Sequence, residues 1–219
     1  MKFKGAIFDL DGVIVDTVLL HFQAWKKMFS EYDKDFTFED YKNKVDGIPR
    51  MRGARAILED LSEEKLNEAA ARKQDYFLEF LEKKGVTVHQ STVDLVKELR
   101  AKNIKVAVIS SSKNCRHILE RASLIDLFEV IITGNDIKKG KPDPDVFILA
   151  SEKLGLARGE CLVVEDAVLG VVAANRAGMR CVGIDRYDSP QRLSEADIVV
   201  KDLSEIDIEK IEQLFKEKG

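Results

Sequence analysis

Four polar clusters stand at the ends of apolar runs or just before helix-like stretches. Asp9-Leu-Asp11-Gly12 follows Gly5–Phe8, Ser110-Ser111-Ser112 follows Val106–Ile109, and Glu165-Asp166 follows Cys161–Val164. Lys141-Pro142 lies in a loop ahead of a helix-like stretch. Together they offer carboxylates, a hydroxyl and an ammonium. Residues i and i+2 of a strand project to one side, so Asp9 and Asp11 are expected to point the same way. An acidic pair from another strand can join them. Grouped carboxylates repel unless a cation neutralises them, and an oxygen-only ligand set suits Mg²⁺. Serine and lysine donors suit a phosphate. A metal, a cation and a positioned nucleophile are what phosphoryl transfer needs. A carboxylate can itself be that nucleophile, giving an aspartyl-phosphate.

The apolar runs have the length of buried strands: Gly5–Phe8, Val106–Ile109, Val130–Ile132, Cys161–Val164, Cys181–Ile184 and Ile198–Val200. From Val106 onward they alternate with helix-like stretches at 113–122, 144–155, 167–177 and 204–217. Strands without period-2 alternation, separated by helices, predict an α/β fold with a doubly wound parallel sheet covered on both faces. Ligands of such sheets bind beyond the carboxyl ends of the strands, where the polar clusters fall. Between Asp16 and about Val88 the apolar spacing is only helical, over 18–29, 37–45, 52–61 and 66–81. The expected organisation is a core of residues 1–16 and 89–219, with a helical cap of residues 17–88 inserted after the first strand. Val13–Asp16 and Val86–Thr92 are the expected hinges. Asp143 and Pro144 read as the N-cap and first residue of the helix after Lys141.

Composition narrows the function classes. The chain has 219 residues, 45% hydrophobic and 34% charged, which excludes a disordered or collagen-like protein. A net charge of −4 argues against nucleic acid as the main partner. Cys115, Cys161 and Cys181 show no metal-type spacing and suit small apolar roles in a reducing compartment. The first apolar run is interrupted by two aspartates, so it reads as neither a signal peptide nor a membrane span. A cytoplasmic monomer with no membrane partner is expected.

DLDGVIVDT, VISSS, GKPDPD and VVEDA resemble the four motifs of the haloacid dehalogenase superfamily, in matching order and across the whole chain. DLDGVIVDTxxxHFxAW, Asp46-Gly-Ile-Pro-Arg50, Arg72-Lys73-Gln74 and SSSKN are similar to its β-phosphoglucomutase-like subfamily. The run SSSKNCRHILERASLIDLFEV also resembles a sister subgroup of hydrolases. The resemblance implies a Rossmann-like core under a helical cap, a Mg²⁺ cofactor and a small phosphorylated sugar as substrate. It implies that Asp9 is the phosphorylated nucleophile and a metal ligand. Asp11 would be the general acid/base, ligating the metal through its backbone carbonyl. Asp166 would be a further metal ligand, with Glu165 beside it. Ser110 and Lys141 would hold the transferring phosphate, helped by the backbone at Ser111. From the cap, Arg50 would grip a second phosphate. His21, Lys73 and Gln74 would meet the sugar or the moving cap, and Thr17, Trp25 and Gly47 would complete the binding surface. Two activities follow from a common phospho-Asp9. One is a mutase converting β-glucose 1-phosphate to glucose 6-phosphate through a bisphosphate. The other is a phosphatase, in which water attacks.

Each residue also has a plainer reading. Asp166 could cap the helix that follows it. Lys141 and Arg50 could be solvated charges. Lys73 falls in the apolar stripe of 66–81 and could snorkel outward. His21 shares a face with Val18, Trp25 and Met28, and could be a core histidine; by the same spacing Trp25 is a core aromatic. A phospho-receiver module would also use Asp, Mg²⁺, Ser and Lys, but it has no cap and places its phosphoacceptor later in the sheet.

Overall fold

The computed structural model describes residues 2–216. Among them, six strands form one parallel sheet in the order β3-β2-β1-β4-β5-β6. They are β1 (Gly5–Asp9), β2 (Lys105–Ile109), β3 (Val130–Ile132), β4 (Cys161–Glu165), β5 (Arg180–Ile184) and β6 (Ile198–Val200). The strand alternation explains why the runs are apolar throughout. Ala6, Phe8, Val106, Val108, Leu162 and Val164 belong to one buried cluster. Ile7, Ala107, Ile109 and Val163 belong to another. Both faces are therefore covered, as a parallel sheet requires. The chain winds from β1 through β2 to β3 on one side, then returns to β4 on the other. The crevice at the carboxyl ends of β1 and β4 is the switch point where α/β proteins bind ligands.

The helices are α1 (Val18–Ser30), α2 (Phe38–Asp40), α3 (Arg50–Arg55), α4 (Glu63–Lys84), α5 (Gln90–Ala101), α6 (Cys115–Arg121), α7 (Asp145–Leu154), α8 (Val168–Arg176) and α9 (Ile208–Lys216). The first four lie between β1 and β2 and share their own apolar cluster, including Val18, Trp25, Phe29, Phe36, Tyr41 and Leu66. They form the expected helical insert, the cap. Two backbone segments connect it to the sheet and are bonded to each other: Asp16 N donates to Thr87 O and His89 N to Ile14 O, each at 2.9 Å.

The structure corrects several sequence expectations. Residues 37–45 are not one helix. A capping box of Thr37 and Asp40 starts the turn of α2, and the chain then widens to i→i+5 bonding over Tyr41–Val45. Helix α3 stops at Arg55 instead of running to 61. The Arg55 guanidinium donates to the carbonyls of Glu59 and Leu61 and holds the following chain in a turn. Helix α4 is longer than 66–81: Ser62 caps it, acidic Glu63 and Glu64 favour its start, and Gly85 at φ +74° ends it. The N-cap of α7 is Pro144, and Asp145 is its first residue; Asp143 Oδ1 accepts from Asp145 N at 3.2 Å. The predicted 204–217 helix is a short turn at Leu203–Glu205 followed by α9, and residue 217 lies outside the described residues. Helix α5 was not anticipated.

Candidate active site

Asp9 ends β1 and Glu165 ends β4, side by side in the sheet. Between them lies the Lys141 ammonium, 2.5 Å from Asp9 Oδ1 and in ion contact with Glu165. Lys141 is only 1% exposed, so the solvated-loop reading fails. Burial alone would hold its ammonium down; Asp9 and Glu165 raise it, and it stays a cation.

Asp9, Glu165 and Asp166 each bring a carboxylate oxygen within 4.8 Å of the others, all three buried. Each carboxyl is pushed up to about 7. Burial is the main cause, and neighbouring carboxylates add to it; Lys141 only partly offsets both at Asp9 and Glu165. At Asp166 the main offset comes from Lys42. The backbone is fitted closely around the cluster. A Cβ at Gly12, which sits at φ +82°, would run into the Asp166 carboxylate, and one at Gly170 would run into Glu165. Buried all-oxygen donors with unbalanced negative charge fit a hard divalent cation such as Mg²⁺.

Asp11 lies just beyond the end of β1 and lines the same cavity as Asp9, but its carboxylate has partners of its own. β1 ends at Asp9, and the chain turns back so that Gly12 N bonds Val15 O at 2.8 Å. Asp11 Oδ1 accepts from the Thr17 hydroxyl, and Oδ2 from Ser110 Oγ at 3.0 Å. His21 Nε2 lies 3.3 Å from Oδ1. Burial raises the Asp11 carboxyl, but His21 and the two hydroxyls outweigh it and hold it at about 2. Asp11 is therefore a carboxylate at neutral pH. Outside the turn, Arg186 Nε donates to Gly12 O at 3.1 Å and pins the loop.

The cap side of the site rests on α1 and α4. Lys73 Nζ is 2.7 Å from His21 Nδ1, and the His21 ring stacks on Phe77 at 4.1 Å between centroids. Lys73 does not snorkel; it is 4% exposed, with Nζ 5.1 Å from the Trp25 ring centre. Burial and Arg50 press its ammonium down to about 7, against a weaker pull from Asp11. Trp25 is a buried core aromatic that also lines the cavity. Arg50 Nη1 donates to Gln74 Oε1 at 2.5 Å, and Gln74 Nε2 donates to Asn114 Oδ1 at 2.8 Å. Ser111 Oγ donates to Gly47 O at 2.8 Å, a direct core-to-cap bond.

One cavity of about 310 Å³ is lined by Asp9, Asp11, His21, Arg50, Lys73 and Asp166. Trp25, Gly47, Gln74 and Ser111 line it too, so most predicted positions converge. Lys141, Ser110 and Thr17 stand behind this wall and touch Asp9 or Asp11, and Glu165 beside them touches Lys141. Sequence reasoning assigned no role to Tyr41, Lys42, Asp46, Ser112, Lys113 and Asn114. Ser112, Lys113 and Asn114 lie within SSSKN and Asp46 opens the stretch Asp46–Arg50, whereas Lys42 carries no signal of burial.

The haloacid dehalogenase-like hydrolase family model matches residues 6–184. A β-phosphoglucomutase of Bacillus subtilis is 33% identical over 221 residues, covering 98% of this chain and 96% of that protein. A phosphorylated carbohydrates phosphatase of Thermotoga maritima is 35% identical over 185 residues, covering 80% and 82%. The crystal structure of a β-phosphoglucomutase from Clostridium difficile superposes with a TM-score of 0.90 at 29% identity, covering 98% of both chains. With four motifs in order at the ends of a parallel sheet, a helical cap above them and a match over most of its length, this chain belongs to the haloacid dehalogenase-like hydrolase family.

Proposed function

We propose that the protein is a Mg²⁺-dependent β-phosphoglucomutase, interconverting β-glucose 1-phosphate and glucose 6-phosphate through an aspartyl-phosphate on Asp9. One observation carries this reading. The cavity that reaches Asp9 and Asp11 is also lined by Arg50 and Lys113, so a molecule within it meets cations beyond those at the nucleophile. A bisphosphate needs a grip for each phosphate in turn.

In this reading residues 17–88 close as a cap over a core of 1–16 and 89–219. Asp9 attacks phosphorus and Lys141 balances the charge gathering on the phosphoryl oxygens. Asp9 and Asp166 would hold Mg²⁺ together with the Asp11 backbone carbonyl, with Glu165 supporting the set. When bound, the cation shields the carboxylates and the phosphate from each other. Asp11, ionised in the closed site, takes the proton from the attacking sugar hydroxyl and returns it to the leaving oxygen. His21 and Lys73 hold Asp11 from the cap side. Ser110 fixes Asp11 and, with the Ser111 backbone, borders the transferring phosphate. Gln74 aims Arg50 at the second phosphate. Closing the cap excludes water, which favours a sugar hydroxyl as the acceptor.

A phosphatase is the second reading, supported by the Thermotoga maritima relative. One experiment separates the two. The protein is incubated with β-glucose 1-phosphate, Mg²⁺ and a trace of glucose 1,6-bisphosphate, and glucose 6-phosphate is measured against free phosphate. The mutase reading expects glucose 6-phosphate in excess, turnover lost in EDTA and regained with Mg²⁺. Faster release of free phosphate refutes it in favour of the phosphatase.

A further inference from the structure

We propose that Lys42 is a positioning residue that sets cap closure against metal loading: from the closed cap it holds Asp166, and a divalent cation entering the carboxylate cluster displaces it. The proposal rests on the reading of Asp166 as a metal ligand.

Lys42 lies in the widened turn Tyr41–Val45 and is buried. Its ammonium is in ion contact with Asp46, one turn on, and sits 3.3 Å from Asp166 Oδ2. The seat is made by the core. Arg192 Nη2 donates to Lys42 O at 3.2 Å, and the Tyr187 ring centre is 5.2 Å from Lys42 Nζ. Phe38 of the cap meets the same Tyr187 ring at 5.2 Å. Lys42 is thus held on both sides of the cleft.

Charge balance in the cluster gives this contact its effect. Asp9 and Glu165 share Lys141, a core residue that is present whether the cap is open or shut. Asp166 takes its cation from the cap. Other cap-to-core bonds do not reach the cluster by a charge: His21 meets Asp11, which lies outside it. Ser111 to Gly47 and Gln74 to Asn114 are neutral pairs, and the Arg121–Glu82 ion pair is exposed. Among the described residues, only Lys42 joins the cap to the Asp9, Glu165 and Asp166 cluster by an ion pair, a charge that a metal ion would oppose. Two cations cannot both be strongly bound to one carboxylate, because each reduces its attraction for the other. Asp46 gives the displaced ammonium a second partner, so Lys42 is not stranded without a counter-ion. Linkage makes the effect reciprocal: what metal does to the closed cap, the closed cap does to metal affinity.

The test uses Mn²⁺ alone, without substrate, with free Mn²⁺ followed by electron paramagnetic resonance. Lys42→Met should bind Mn²⁺ at least threefold more tightly than wild type. Asp46→Asn leaves Lys42 to Asp166 alone and should bind it at least threefold more weakly. In wild type, Mn²⁺ should speed amide exchange across residues 41–47, and in Lys42→Met it should not. A purely structural role predicts weaker binding in both variants, and that result overturns the proposal. Unchanged affinity in Lys42→Met overturns it as well, while Mn²⁺ binding by wild type leaves the metal reading standing. Failure of wild type to bind Mn²⁺ at all overturns both.

Discussion

Gln74 and Asn114 face each other as a reciprocal amide pair across the cleft, Gln74 Nε2 to Asn114 Oδ1 at 2.8 Å and Asn114 Nδ2 to Gln74 Oε1 at 3.2 Å. Arg50 donates to that same Gln74 oxygen. The guanidinium proposed for a distal phosphate is therefore aimed by a side chain whose own position depends on contact with the core. An open cap leaves Arg50 without this chain of support.

The first prediction follows from that chain. Arg50→Ala should slow isomerisation of β-glucose 1-phosphate roughly 30- to 1000-fold, the equivalent of ~2–4 kcal/mol for a truncated buried charge partner. Arg50→Lys should not restore it, because an ammonium lacks the planar fork. Hydrolysis of a small aryl phosphate should be spared, since it has no second phosphate. Parallel rate measurements on the two substrates check this; an equal fall in both identifies Arg50 as structural.

Asp9→Asn should lower turnover by about three orders of magnitude or more, the scale seen when a nucleophile is removed. The fold should survive, because one of several crowded carboxylates is lost and Lys141 keeps Glu165. Near-UV circular dichroism alongside turnover reads both effects. Activity within tenfold of wild type rules out the covalent route.

Lys73 links stability to pH. Its ammonium is held at about 7, whereas a free lysine titrates near ~10.4. Between these values the unfolded chain binds a proton that the folded chain does not, so this group makes stability rise with pH across the window. Below it both states are protonated and the buried charge counts fully against the fold. Lys73→Met should therefore stabilise the protein by about 1–4 kcal/mol at pH 6, as replacing buried ions by apolar groups often does. The gain should shrink by pH 9, and catalysis should fall because His21 loses its partner. Thermal melts at the two pH values check the sign, and identical melts would falsify the depressed ammonium.

The core of the site was legible because it is built from strand ends. Asp9, Ser110 and Glu165 each close an apolar run, and a carboxylate or hydroxyl there has few other roles. The cap was legible only as a helical region. Its widened turn breaks the 3.6-residue period, so Lys42 reads as one of several surface lysines in Tyr-Lys-Asn-Lys. Its burial is set by Asp166 and Tyr187, far along the chain. The partners of the Asp11 carboxylate were likewise hidden, because Asp11 lies beyond the end of β1 and is met by Thr17 and His21 from the cap stem. Helix α5 escaped because the 86–92 stretch was read only as a hinge.

The paired connecting segments have one more consequence. Val15 bridges Asp11 on one side and Val88 on the other. The stem that carries the cap is thus spliced into the loop that carries Asp11, with Arg186 clamping that loop at Gly12. A swing of the cap would pull on the Asp11 backbone through Val15. In the proposed mechanism, the setting of the lid and the placing of the Asp11 carboxylate are consequently inherited together. A cap transplanted from a relative on one stem alone would break the pairing of the two segments beside Asp11.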